Sequence, residues 1–105
     1  MNKEFSENFL KELSDLVDLK ANQNESDSYT ASLVNGKLSK VTQKVGEEAV
    51  EVVIAALAED KGRVISESCD LLYHLLCLFK AKNVSLEEIR QEMSRRNHSN
   101  LDKVK

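Results

Sequence analysis

The sequence predicts an all-α fold: a small helical bundle of four to five helices around two long, antiparallel central helices. Three observations carry this. The 105 residues contain no proline and three glycines. Apolar residues recur at spacings of three and four, and no useful length of chain alternates apolar with polar as a half-buried strand would. At this size the chain is expected to be one domain, residues 1–105, with a thin margin of buried surface that favours a homodimer.

The elements follow in order. Phe5, Phe9, Leu10, Leu13, Leu16 and Val17 predict a first amphipathic helix over residues 3–20. "ANQNESDS" is polar and reads as a loop. Ser28 can cap a short helix through "YTASLV", and Asn35–Gly36 has the residue types that end one. Val41, Val45, Ala49, Val52 and Ala56 predict a long helix from Leu38 to Ala58, whose run from Val52 to Leu57 is suited to burial. After "EDKG", residues Arg63 to Ala81 form the most apolar segment, greasy nearly all round, as befits a central helix. Ser85 and Glu88 make a capping box for a last helix, "LEEIRQEMSRR". The tail after Asn97 has no usable pattern.

Gly46, inside the long helix, costs about 1 kcal/mol relative to alanine, so close approach of another helix is its expected reason. Cys69 and Cys77 match neither a zinc spacing nor a disulfide framework, and read as small buried hydrophobes.

Charged residues are 31% of the chain, yet the net charge is −3, which argues against a general nucleic-acid binder. The N-terminus lacks the apolar stretch of a signal peptide, and the longest apolar run, Val52 to Ala58, is too short to span a bilayer. A soluble, cytoplasmic protein is expected, with no membrane partner.

The informative anomaly is acidic. Lys40, Lys44, Glu47, Glu48 and Glu51 share one stripe of the long helix, and Arg63, Glu67, Asp70 and His74 share a stripe of the greasy one. If these helices are antiparallel neighbours, Glu48 and Glu51 face Glu67 and Asp70. Two carboxylates about 5 Å apart repel by about 3 kcal/mol at an effective dielectric of ~20, so a positive partner is expected. One candidate is a set of ion pairs: the acids on α-helical faces solvated, and Glu67 and Asp70 paired with Arg63, Lys40 or Lys44. The other is a hard divalent cation, Mg²⁺ or Mn²⁺, which takes carboxylate oxygens and bridges them to substrate phosphates.

"SYTASLVNGKLSKVTQKVGEEAVEVVIAAL", "ESCDLLYHLLCLF" and "EEIRQEMSRR" resemble phosphoribosyl-ATP pyrophosphatase, of the all-α nucleotide pyrophosphatases related to MazG, over Ser28 to Arg96. That superfamily's hallmark is E-E-x-x-E, a spacer, then E-x-x-D; here Glu47, Glu48 and Glu51 precede Glu67 and Asp70. The resemblance implies Mg²⁺-dependent hydrolysis of phosphoribosyl-ATP to phosphoribosyl-AMP and pyrophosphate, the second step of histidine biosynthesis. It implies Glu48, Glu51, Glu67 and Asp70 as metal ligands, with Glu47, at the edge of the stripe, instead orienting or deprotonating the attacking water as a catalytic residue. Lys40, Lys44 and Arg63 are candidates for substrate phosphates, and Ser28, Tyr29 and Thr30 for lining the pocket.

Each has a plainer alternative: helical ion pairs for the cations, a cap for Ser28, a half-buried ring for Tyr29. His74 is a candidate support for Asp70 or a hydrogen-bonded core residue. Arg95 and Arg96 can reach a phosphate across a dimer interface or simply suit a helix C-terminus. The rival functions are a house-cleaning nucleoside triphosphate pyrophosphatase and a non-catalytic helical interaction module.

Overall fold

The computed structural model describes residues 4–99. Those residues form five helices in the order α1 (Phe9–Ala21), α2 (Tyr29–Asn35), α3 (Leu38–Ala58), α4 (Lys61–Ala81) and α5 (Leu86–Ser99), and the fold is all-α as expected. No helix among the described residues is long and apolar enough to cross a membrane.

The first helix begins at Phe9 rather than near residue 3. The chain before it folds back instead: Ser6 N–H donates to Glu12 Oε1 at 2.9 Å, the Ser6 hydroxyl bonds the other Glu12 oxygen, and Asn8 N–H donates to Ser6 Oγ at 3.1 Å. These contacts take up polar groups that would otherwise favour another helical turn. Phe5 therefore lies outside the helix and is exposed.

Ser28 caps α2 as predicted, its Oγ accepting from Ala31 N–H at 3.1 Å while donating to the Lys20 carbonyl at 3.3 Å. One hydroxyl thus starts α2 and ties it to the end of α1. Gly36 ends α2 with φ −82°, outside the left-handed region. A Cβ there would lie 2.3 Å from the Ser32 carbonyl oxygen, so close backbone approach demands the glycine.

α3 and α4, 21 residues each, are joined through Glu59 and Asp60, which turns them into an antiparallel pair with the most extensive helix–helix contact in the chain. Asp60 accepts from Arg63 N–H at 3.0 Å, so α4 starts at Lys61, ahead of the expected Arg63. After α4, Asn83 turns the chain at φ 60°, a region asparagine tolerates better than most residues. The capping box follows as predicted, with Ser85 Oγ accepting from Glu88 N–H at 3.0 Å and Glu88 Oε1 accepting from Ser85 N–H at 2.9 Å.

The core joins Val17, Leu33, Val41, Leu76 and Cys77, with Leu13, Val34, Tyr73 and Phe79 against them. It lies between α1, α2, the start of α3 and the end of α4. The other end of the hairpin is barer. Of the run expected to be buried, Ala55 is, whereas Val53, Ile54 and Leu57 are exposed, as is Val50 one turn earlier. On α4, Ile65 is also exposed, so that helix is not covered all round.

Two further expectations are corrected. Cys77 is buried but Cys69 is exposed, because the helix turns it to the bare side of the hairpin. Gly46 meets nothing among the described residues: a Cβ there would have no heavy atom within 4 Å, so none of the described helices approaches it.

Candidate active site

The two-residue turn sets the register of α3 on α4, and that register brings the two acidic stripes face to face. Carboxylate oxygens of Glu48, Glu67 and Asp70 all lie within 4.8 Å of one another. The side chains of Glu48 and Glu67 are 14% and 9% exposed, while Asp70 is open to solvent. Three oxygen donors from two rigid helices, clustered this closely, fit a hard divalent cation. Histidine and cysteine, the usual ligands of a zinc site, are missing from the cluster.

Cations of the chain partly neutralise it. Arg63 Nη2 donates to Glu67 Oε1 at 2.7 Å, and Arg63 also reaches Glu59 at 3.6 Å. Lys44 Nζ lies 3.5 Å from Glu48 and 3.6 Å from Glu47. Among the described residues neither the Asp70 nor the Glu51 carboxylate has an ion pair. Glu51 is exposed, one turn along α3 from Glu48, and outside the trio. Glu47 is exposed too, and Gln43 donates to its Oε2 at 2.9 Å; that bond, with Lys44 beside it, holds its carboxyl below the usual range.

Behind the acids lies a polar seam between α2 and α4. His74 Nδ1 bonds the Asp70 carbonyl oxygen at 2.7 Å, and Nε2 lies 3.0 Å from Tyr29 Oη. Thr30 Oγ1 and Tyr73 Oη are 2.6 Å apart. Burial pushes the Tyr73 phenol up to about 12 and the neighbouring Cys77 thiol up to about 11. Lys40 Nζ stands 5.6 Å over the Tyr29 ring and donates to Ser32 Oγ at 3.3 Å.

Acids from two helices beside lysines and an exposed tyrosine are what binding a phosphorylated ligand through a cation would require, and the sequence match agrees. The model of the family described as phosphoribosyl-ATP pyrophosphohydrolase matches residues 10–97. The chain belongs to the phosphoribosyl-ATP pyrophosphohydrolase family. A phosphoribosyl-ATP pyrophosphatase of Metallosphaera sedula is 48% identical over 87 residues, covering 83% of this chain and 94% of that protein. One from Azorhizobium caulinodans is likewise 48% identical, over 83% of this chain and 80% of its own. The histidine biosynthesis bifunctional protein HisIE of Buchnera aphidicola is 39% identical over 99 residues, 94% of this chain but 48% of that protein.

Membership in the phosphoribosyl-ATP pyrophosphohydrolase family bears out the reading of the chain as a hydrolase of that biosynthetic step. The structure arranges the candidate residues unequally. Ser28 and Thr30 are buried with their hydroxyls engaged inside the fold, which leaves Tyr29 as the exposed member of "SYT". Arg63 is committed to the acids. His74 touches the Asp70 backbone, not its carboxylate. Arg95 and Arg96 both pair with Glu92 on their own helix, holding that carboxyl down at about 2. The Tyr29–His74 and Thr30–Tyr73 links were invisible in the sequence; the only signal was that polar "YH" interrupts an apolar helix. A groove of about 660 Å³ opens between α1, the end of α4 and the start of α5, and shares no residue with the acidic cluster. It carries none of the chemistry of the acids, so the cluster remains the candidate site.

Proposed function

We propose that the Glu48–Glu67–Asp70 cluster is where this chain hydrolyses phosphoribosyl-ATP, cleaving the α–β anhydride to give phosphoribosyl-AMP and pyrophosphate. The convergence of those three carboxylates from two helices carries the reading. Glu48, Glu67 and Asp70 would hold Mg²⁺, and Mn²⁺ has the same ligand preference; Glu51, unpaired and one turn from Glu48, is the fourth carboxylate a cation would draw in. The bound metal supplies charge neutralisation on the triphosphate oxygens and makes water a better nucleophile.

The chain's own groups do the rest. Lys44, held above the ordinary lysine range by Tyr29 and by Glu48 and Glu47, stays an ammonium and meets phosphate oxygens as a compact charge. Lys40, one turn earlier, extends that basic edge. Glu47 keeps a low pKa, which makes it a weak base; its role is to orient the attacking water by accepting a hydrogen bond, while the proton passes to solvent. With a cation held by Glu67, Arg63 would be released from that carboxylate and would be free to meet a phosphate.

The bare face of Val50, Val53, Ile54 and Leu57 repeats at i, i+3, i+4 and i+7, the spacing of a helix that packs on another. A homodimer closed over this face completes the bundle, and a single cytoplasmic domain in a reducing compartment suits the two free thiols.

The test is pyrophosphate release with Mg²⁺ from phosphoribosyl-ATP against a panel of free nucleoside triphosphates. Turnover confined to phosphoribosyl-ATP is expected. Preference for a free triphosphate would make the chain a house-cleaning enzyme. No turnover, with thermal stability indifferent to Mg²⁺ and nucleotide, would leave an interaction module.

A further inference from the structure

We infer that His74 is a positioning residue for this reaction: it holds Tyr29 in the place where its ring meets Lys40, on the helix that carries Glu48. The inference rests on the phosphate role given to Lys40 above.

The tautomer is fixed by geometry. A backbone carbonyl can only accept, so the His74 nitrogen 2.7 Å from the Asp70 oxygen, Nδ1, carries the hydrogen. In the neutral ring Nε2 is then an acceptor, and Tyr29 Oη, 3.0 Å away, donates to it. His74 is itself clamped, 7% exposed and with the Tyr73 ring edge-on at 5.0 Å.

Tyr29 is different. It is 50% exposed, so burial alone does not fix its ring. What fixes it is the bond to His74, together with the Tyr73 ring stacked at 6.3 Å. Lys40 sits over the ring face at 5.6 Å. One aromatic side chain therefore meets Lys40, and one histidine holds it.

Four variants separate this from a role in supporting Asp70. Asparagine at 74 can keep the bond to the Asp70 carbonyl but is too short to reach Tyr29; glutamine reaches as far as Nε2 and offers an oxygen that accepts from Tyr29. Tyr29→Phe and His74→Asn are each expected to raise the KM for phosphoribosyl-ATP about tenfold, with kcat within about threefold, since phosphate-binding groups act on ground and transition states alike. The double variant should be no worse than either single, and His74→Gln should recover most of the KM. A loss confined to kcat in His74→Asn, an additive double variant, or no rescue by glutamine would overturn the proposal.

A readout without substrate guards against variants that fold poorly and against failure of the assigned reaction. Nitrogen NMR of the wild-type chain at neutral to mildly alkaline pH should show Nε2 as the unprotonated nitrogen of His74, shifted in Tyr29→Phe. A proton on Nε2, or no shift, sinks the pairing even if the enzyme is active. An inactive wild type with the expected spectrum would condemn the assigned substrate and leave the pairing standing.

Discussion

Arg63 reaches up one turn of α4 and closes on Glu67, Nη2 to Oε1 at 2.7 Å, so that the most buried carboxylate of the acidic cluster is neutralised by a side chain of its own helix. Arg63 is half exposed, and the pair is worth less than a fully buried one. It nevertheless stands in the place that a divalent cation would take electrostatically. Arg63→Gln is therefore expected to destabilise the chain by about 1–2 kcal/mol in metal-free buffer, less than a fully buried hydrogen bond to a charged group because solvent screens the half-exposed Arg63. Millimolar Mg²⁺ should shrink that difference, because the metal takes over the neutralisation. Thermal denaturation of both proteins with and without Mg²⁺ checks it; an equal gap in both buffers would mean that Arg63 and the metal do not share Glu67.

The carboxylates themselves should not be equivalent. Asp70→Asn and Glu67→Gln each remove an anionic ligand from the trio while keeping shape, and turnover is expected to fall by at least about a hundredfold without unfolding. Glu51→Gln is also expected to cripple turnover at ordinary Mg²⁺. Because Glu51 stands outside the trio, excess metal should restore much of the rate to that variant alone. Rate against Mg²⁺ concentration separates the cases, and near-wild-type activity of Asp70→Asn would remove the proposed ligand set.

What could be read from the sequence and what could not divide along a physical line. The long helices, the caps at Ser28 and Ser85 and the facing of Glu48 on Glu67 and Asp70 follow from periodicity and local hydrogen bonding, which neighbouring residues decide among themselves. Helical arithmetic also put Glu51 with the others, because a stripe a quarter of the circumference wide does not say which edge faces the partner helix. The start of α1 was missed because Ser6 and Glu12 bond across six positions, a contact that no apolar spacing records. Burial of Val53, Ile54 and Leu57 was misjudged for a different reason: an apolar face tells that a surface will be covered, not that its own chain will cover it.

That face yields the next expectation. Leu57 is 83% exposed and sits at the end of the stripe begun by Val50. If a second copy covers it, Leu57→Glu places an unpaired carboxylate in the interface and should convert a dimer into a monomer at micromolar concentration. Sedimentation of the wild type and the variant decides. A wild-type mass that stays monomeric at every concentration ends the dimer proposal.

Gly46 offers a test in the opposite direction. Its φ is not positive, and nothing lies within 4 Å of where a Cβ would stand. Within the single chain, Gly46→Ala should therefore stabilise α3 by about 0.5–1 kcal/mol through lost backbone freedom in the unfolded state. Denaturant midpoints measure this. A destabilised variant would show that something outside the chain's own helices comes close at Gly46, and the second copy would be the first suspect.

The seam between α2 and α4 should set an alkaline limit. Burial raises the Tyr73 phenol from its ordinary value of 10 to about 12, only partly offset by the bond to Thr30, and the Cys77 thiol beside it rises to about 11. Both groups are neutral in the fold and ionise more easily when unfolded. Their contribution to stability is therefore complete below the unfolded values and is lost as pH climbs, for Tyr73 between about 10 and about 12. Tyr73→Phe should be less stable at neutral pH by about 0.5–1.5 kcal/mol, having lost the bond to buried Thr30, yet its stability should fall less steeply above pH 10. Denaturation midpoints across that range, followed together with phenolate absorbance, check both halves. Parallel slopes for the two proteins would mean that Tyr73 ionises without cost to the fold.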